Sequence, residues 1–292
     1  MKKLSTKLAF KLAIVLLVII GVGSYYLIAT ESQRLKQQLL ERGRLASIVG
    51  AKTVGKILDE AIDNGVLTLN DIFDTDYQKI GDFNPPKYHT KYDFYTDKAI
   101  LEIEDSFLTD ENVVFAVAVD INGYLPTHNT KYQKALTGSA EDLEGNRTKR
   151  IFDDKVGLLA AQNKNYGFLQ TYYRDTGEVM WDISSPIYVK GKHWGGFRIG
   201  FSLEKTNMQI KNLKYTIFGI FLLIVLVSIS FVYVVVNSSL KPLSILTKQA
   251  NDFADGKVDN KMIYFDRNDE IGEISKAFER LRTRLFRTNK NQ

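Results

Sequence analysis

The sequence predicts an α+β protein in which two apolar helices bracket a sheet-bearing domain and a helical hairpin closes the chain. Three observations predict it. Two runs carry no charge, Leu12–Thr30 with 19 residues and Tyr215–Leu240 with 26. Between them lie short apolar segments punctuated by Asn-Gly, Thr-Gly and Lys-Gly, the pattern of strands joined by turns. After residue 240 the apolar residues recur at heptad spacing.

Each charge-free run can cross a hydrocarbon core of ~30 Å, which takes about 20 helical residues. Lys2, Lys3, Lys7 and Lys11 precede the first run with no acidic residue among them, and positive flanks stay inside. The expected order is a cytoplasmic tail over 1–11, a transmembrane helix over 12–30, an extracytoplasmic domain over 31–214, a second transmembrane helix over 215–236 and a cytoplasmic segment over 237–290. The expected location is the cell inner (plasma) membrane, with both termini cytoplasmic. The segment after Leu240 holds 11 Lys+Arg against 8 Asp+Glu, and the whole chain is +5. The basic excess therefore sits at the two ends, where membrane topology puts it, and is not a nucleic-acid footprint. The first run is long for the core of a cleaved leader and lacks a small-x-small site, so it reads as an anchor. With no cysteine in the chain, disulfides, thiolate metal sites and covalent haem attachment are excluded.

After the first run Leu35, Leu39, Leu40, Ala46, Val49, Val54, Ile57, Leu58 and Ile62 recur at three-and-four spacing, which predicts a long helix ending at Asp63-Asn64-Gly65. Residues 65–91 are irregular. Tyr95–Thr109 predicts a helix, and Val113–Asp120 a buried central strand. Asp120-Ile121-Asn122-Gly123 predicts a hairpin turn with Gly123–Thr127 returning beside that strand. Arg147–Gln162 predicts a helix, Phe168–Arg174 a strand, Asp175-Thr176-Gly177 a turn, Glu178–Val189 a strand interrupted at Pro186, and Trp194–Leu203 a last strand. Five short strands form one antiparallel sheet with helices packed on it.

In the C-terminal part Pro242 stands at the first turn of a helix whose seam is Leu243, Leu246, Ala250 and Phe253. Gly256 ends it. A connector carries Val258, Met262 and Ile263, and Asp269-Glu270-Ile271-Gly272 opens a second helix with Ile274, Phe278, Leu281 and Leu285 on its seam. Two such helices bury their seams by pairing in a homodimer as a parallel four-helix bundle. Pro242, Gly256 and the Asp-Glu-Ile-Gly start resemble the HAMP domain. That resemblance implies that Asp269 and Glu270 tie the connector to the bundle.

Five blocks within Lys52–Glu204 resemble the extracytoplasmic sensor of bacterial methyl-accepting chemotaxis proteins. They are residues 61–68 (AIDNGVLT), 86–92 (PKYHTKY), 123–129 (GYLPTHN), 146–152 (NRTKRIF) and 194–198 (WGGFR). The resemblance implies a single Cache (PAS-like) fold and a chemoreceptor-type signal transducer. Such a transducer binds a small ligand outside the cell and relays the signal through the second transmembrane helix to HAMP. The sequence stops at Gln292, before the methylated signalling hairpin of that family. The alternative expectation is an accessory or truncated subunit that dimerises with a full-length receptor or sensor kinase.

The expected pocket lies between one sheet face and its flanking loops, with Tyr124, His128, Arg147, Arg150, Tyr172, Trp181 and Asp182 as candidate ligand contacts. Two arginines near aromatic rings suit a carboxylate, because guanidinium donates paired hydrogen bonds. The competing expectations are a solvated helix face for Arg147, Lys149 and Arg150, core or dimer packing for Trp181 and Trp194, and a structural role for His128. His128 is also the candidate contact for a non-covalent haem; no other cofactor is expected. Three scattered histidines, and Asp71, Asp74 and Asp76 without calcium-loop spacing, make no metal site. No nucleophile, base and orienter occur together, so no enzyme is expected.

Overall fold

The computed structural model describes residues 4–173, 177–256 and 265–289; the side chains of Leu4, Ser5, Tyr172 and residues 285–289 are outside that description. The expected turn at Asp175-Thr176-Gly177 and the connector residues Val258, Met262 and Ile263 fall outside it wholly or in part. The chain divides into two compact units, Thr30–Lys214 and Met1–Ala29 with Tyr215–Gln292.

The first unit is α+β. Helix α1 (Leu4–Asp63) brings its C-terminal half into it. There follow α2 (Leu69–Ile72), β1 (Gln78–Ile80), β2 (Lys87–His89), α3 (Asp93–Ala99), α4 (Leu101–Ser106), β3 (Val113–Asp120) and β4 (Tyr124–Leu125). Then come α5 (Asp142–Gly145), β5 (Arg150–Ile151), α6 (Lys155–Gln162), β6 (Phe168–Tyr173), β7 (Val179–Val189), β8 (Lys192–Ser202) and the start of α7 (Leu203–Ala254). The main sheet is antiparallel in the order β3-β8-β7-β6, and β1–β2 and β4–β5 form separate two-stranded ladders.

One face of the sheet packs on α1. Ile183, Ile187, Phe197, Ile199 and Phe201 join Val54 and Leu58 in the larger core cluster. Close approach requires small residues on the helix: a Cβ on Gly43 would meet Ile183 and Phe201, and one on Gly50 would meet the ring of Phe197. Ser47 and Ser185 join their hydroxyls across the contact at 2.8 Å. The other face carries Phe115, Val117, Val119 and Met180 and packs against α6, where Gly196 lies under the backbone of Ala160.

The expected single sheet of five strands is instead a sheet of four with two separate ladders, and three further expectations of this unit are corrected. The Asp120–Gly123 turn forms, with Gly123 N–H donating to Asp120 O at 3.0 Å, but no hairpin follows. The outer edge of β3 is already closed by side chains: Ala116 N–H donates to Asn129 Oδ1 and Ala118 N–H to Glu104 Oε1. Buried N–H groups must be paired, and with these taken, β4 pairs instead with β5, Tyr124 against Ile151 and Leu125 against Arg150. Second, the helix expected from Arg147 begins only at Lys155, because Asp154 caps it by accepting from Val156 and Gly157 N–H; Arg147–Arg150 is non-helical, turning at Thr148 and Lys149 before Arg150 enters β5. Third, β7 runs unbroken through Pro186. Strand β6 pairs with β7 only as far as Ser184, so Pro186 has a strand neighbour on one side alone, where a missing N–H is tolerated.

In the second unit α1 and α7 each contain a stretch long and apolar enough to cross a membrane. Helix α7 continues through Pro242 to Ala254, so Pro242 lies inside a helix and not at its first turn. Its missing N–H leaves one carbonyl of the preceding turn without its helical donor. Gly256, at φ +75°, ends the helix. Helix α8 (Glu270–Asn289) starts with Asp269 Oδ1 accepting Gly272 N–H at 3.1 Å, and the Phe253 and Phe278 rings meet edge to face at 6.1 Å.

Candidate functional site

A cavity of about 410 Å³ opens on the sheet face opposite α1. Its floor is Phe115 and Val117 of β3 and Arg198 of β8. Its wall is Leu125, His128, Arg147, Arg150, Ile151 and Phe152, and its rim is Asp153, Asp154 and Tyr173.

The wall is built by the pairing that replaced the expected hairpin. Gln133 bridges to Asn146, Arg147 N–H donates to Tyr132 O at 2.8 Å, and β5 lies on β4. The 146–152 segment is thereby stretched along the cavity. Arg147 and Arg150 are buried, at 6% and 8% exposure. Their guanidinium carbons lie 5.1 and 5.0 Å from the centre of the same ring, Phe152, and both donate to Leu143 O. A cation held against an aromatic face keeps its charge in a partly dry place. His128 packs on Tyr132 with ring centres 4.7 Å apart.

Arg198 is the third cation, 5.8 Å from the centre of the Phe115 ring. Beneath it lies Asp182, fully buried, which accepts from Arg198 Nε at 3.0 Å and from a terminal nitrogen at 2.5 Å. Burial pushes the Asp182 carboxyl above its ordinary range and Arg198 only partly opposes this. Asp182 Oδ1 and Ser184 Oγ, on the same face of β7, have no hydrogen-bond partner among the described residues.

Of the seven candidate contacts, His128, Arg147 and Arg150 line the cavity and Asp182 supports it through Arg198. Trp181 is on the α1 side of the sheet, partly buried against the core there, because alternate residues of a strand face opposite ways. Tyr124 also points away: its hydroxyl donates to Asp93 Oδ2 at 2.8 Å and lies 2.8 Å from Tyr88 O. The side chain of Tyr172 is outside the described residues. Sequence reasoning missed Arg198, although a lone arginine inside the apolar strand Phe197-Arg198-Ile199 was a usable signal. No group of three or more metal-ligating side chains occurs among the described residues. The expected solvated helix face for Arg147 and Arg150 does not exist, since both are buried beside Phe152.

Residues 234–287 match the HAMP domain family. Among solved structures, the E. coli DcuS sensor domain is 20% identical at a TM-score of 0.28, covering 38% of this chain and 72% of that one. The sensory domain of the Campylobacter jejuni chemoreceptor Tlp3 with isoleucine bound is 14% identical at 0.31, covering 61% and 65%. The Tlp3 ligand-binding domain with L-valine is 13% identical at 0.29, covering 61% and 66%. No curated protein matches the chain.

Proposed function

We propose that this protein is a two-pass membrane signal transducer of the chemoreceptor type that binds a small carboxylate in the arginine-lined cavity and passes the signal to its HAMP domain. The observation that carries the reading is the convergence of Arg147, Arg150 and Arg198 on one cavity from two separate elements. Guanidinium groups at this density, backed by aromatic rings, match a compact anion with an apolar body. Strand β8, which holds Arg198, ends at Ser202, and α7 starts at Leu203 without a linker. That helix continues through its apolar stretch into the HAMP-matched residues. A ligand that favours one position of β8 therefore acts on the helix itself, and it shifts the balance only by its difference in affinity for the two states.

In this reading the domain of residues 31–214 is extracytoplasmic, both termini are cytoplasmic, the chain acts as a homodimer, and it binds without catalysing. Asp269 and Glu270 tie the connector to the bundle. The test is calorimetric titration of the full-length chain in lipid nanodiscs with acetate, pyruvate, succinate, L-isoleucine and L-valine. Saturable binding of one of these, weakened at least about tenfold by Arg147→Ala and by Arg198→Ala, is expected. Binding that survives both substitutions places the ligand elsewhere and ends the cavity reading.

A further inference from the structure

Lys149 stands between the two wall arginines in sequence yet does not line the cavity. Its backbone is in the left-handed region, at φ +61°, where a side chain with a Cβ is unfavourable. Such a conformation persists only where the surroundings over-determine it, and here they do. Lys149 N–H donates to Leu125 O and Lys149 O accepts from Tyr88 N–H, both at 2.9 Å. The ammonium group reaches α3, 2.8 Å from Asp97 Oδ2 and 3.3 Å from Asp93 Oδ2.

Those two acids are themselves held. Asp93 is fully buried and accepts from Thr90 Oγ1 at 2.6 Å and from Tyr124 OH at 2.8 Å, with His89 Nδ1 also at 2.8 Å. Asp97 Oδ1 accepts from Thr127 Oγ1 at 2.8 Å. On the same segment Lys87 Nζ donates to Thr148 O at 2.7 Å and to Asn146 Oδ1 at 2.6 Å. The reversed backbone at Lys149 turns its side chain toward α3 while Arg147 and Arg150 turn toward Phe152.

We propose that Lys149 is a positioning residue for the ligand cavity: its ion pairs with Asp93 and Asp97 hold the 147–150 segment in the conformation that presents Arg147 and Arg150 to a bound anion. This rests on the cavity reading above and adds to it a determinant of affinity that never touches the ligand. It also gives Tyr124 a place, as part of the anchor and not of the binding surface.

The experiment uses the full-length chain in nanodiscs and the same five probes. Lys149→Met keeps the length of the side chain and removes its charge; it is expected to weaken binding at least about tenfold, and Lys149→Arg, which restores a cation, to bring affinity back to within about threefold of the parent. A purely structural role would not be relieved by charge in this way. If Lys149→Met abolishes the cooperative thermal transition, Asp97→Asn removes the charge of the nearer partner at a partly exposed position and is expected to weaken binding in the same direction. Parent-like affinity in Lys149→Met, or in a folded Asp97→Asn chain, overturns the positioning role and leaves the cavity standing. A parent chain that binds none of the five probes removes the cavity reading and this inference with it.

Discussion

Glu104 is fully buried on α4, with Oε1 accepting Ala118 N–H at 2.8 Å and Oε2 without a partner among the described residues. Burial therefore pushes its carboxyl well above the ordinary value of 4.5. The sign of the consequence follows from proton counting. From pH 4.5 up to its raised folded pKa the native chain binds more protons than the unfolded one, so stability falls as pH rises through that window. Glutamine keeps the acceptor for Ala118 and cannot ionise. Glu104→Gln is expected to flatten the pH dependence of thermal unfolding and to raise the midpoint above pH 7; an unchanged slope refutes the assignment. Nothing in the residues around Glu104 announces this role in sequence, because the strand edge it closes is brought to it only by folding.

Among the elements, α1 and the sheet show where sequence pattern suffices. The three-and-four spacing from Leu35 to Ile62 defines the helix, and Gly43, Ser47 and Gly50, about one turn apart, define the side that admits aromatic rings. Gly50→Val would drive a branched side chain into Phe197. Overpacking of this kind costs about 1–3 kcal/mol, so a fall in the thermal midpoint with no change in probe affinity per folded molecule is expected. The 147–162 segment shows where pattern misleads. Ile151, Phe152, Leu158 and Leu159 imitate a helical face, but Asp154 ahead of Val156 was the start signal, and it leaves Arg147 and Arg150 outside the helix. The same shift converts a supposed solvated helix face into a cavity wall.

For the whole molecule, the proposed relay predicts a change in helix packing across residues 215–236. The chain has no cysteine, so single cysteines placed along that stretch report unambiguously on pairing between two copies. Saturating ligand is expected to change which positions cross-link in nanodiscs; an identical pattern with and without ligand would remove the relay. The sequence by itself determined the two apolar stretches, the long helix, β3, β6 and β8, the α+β class and the HAMP segment, because each is written in local periodicity, charge and turn residues within one element. Only the tertiary structure decided that β4 pairs with β5, that Arg198 joins Arg147 and Arg150, and that Trp181 and Tyr124 face elsewhere. Those outcomes depend on strand register and on which buried N–H groups are already paired, and both are settled between segments distant in sequence.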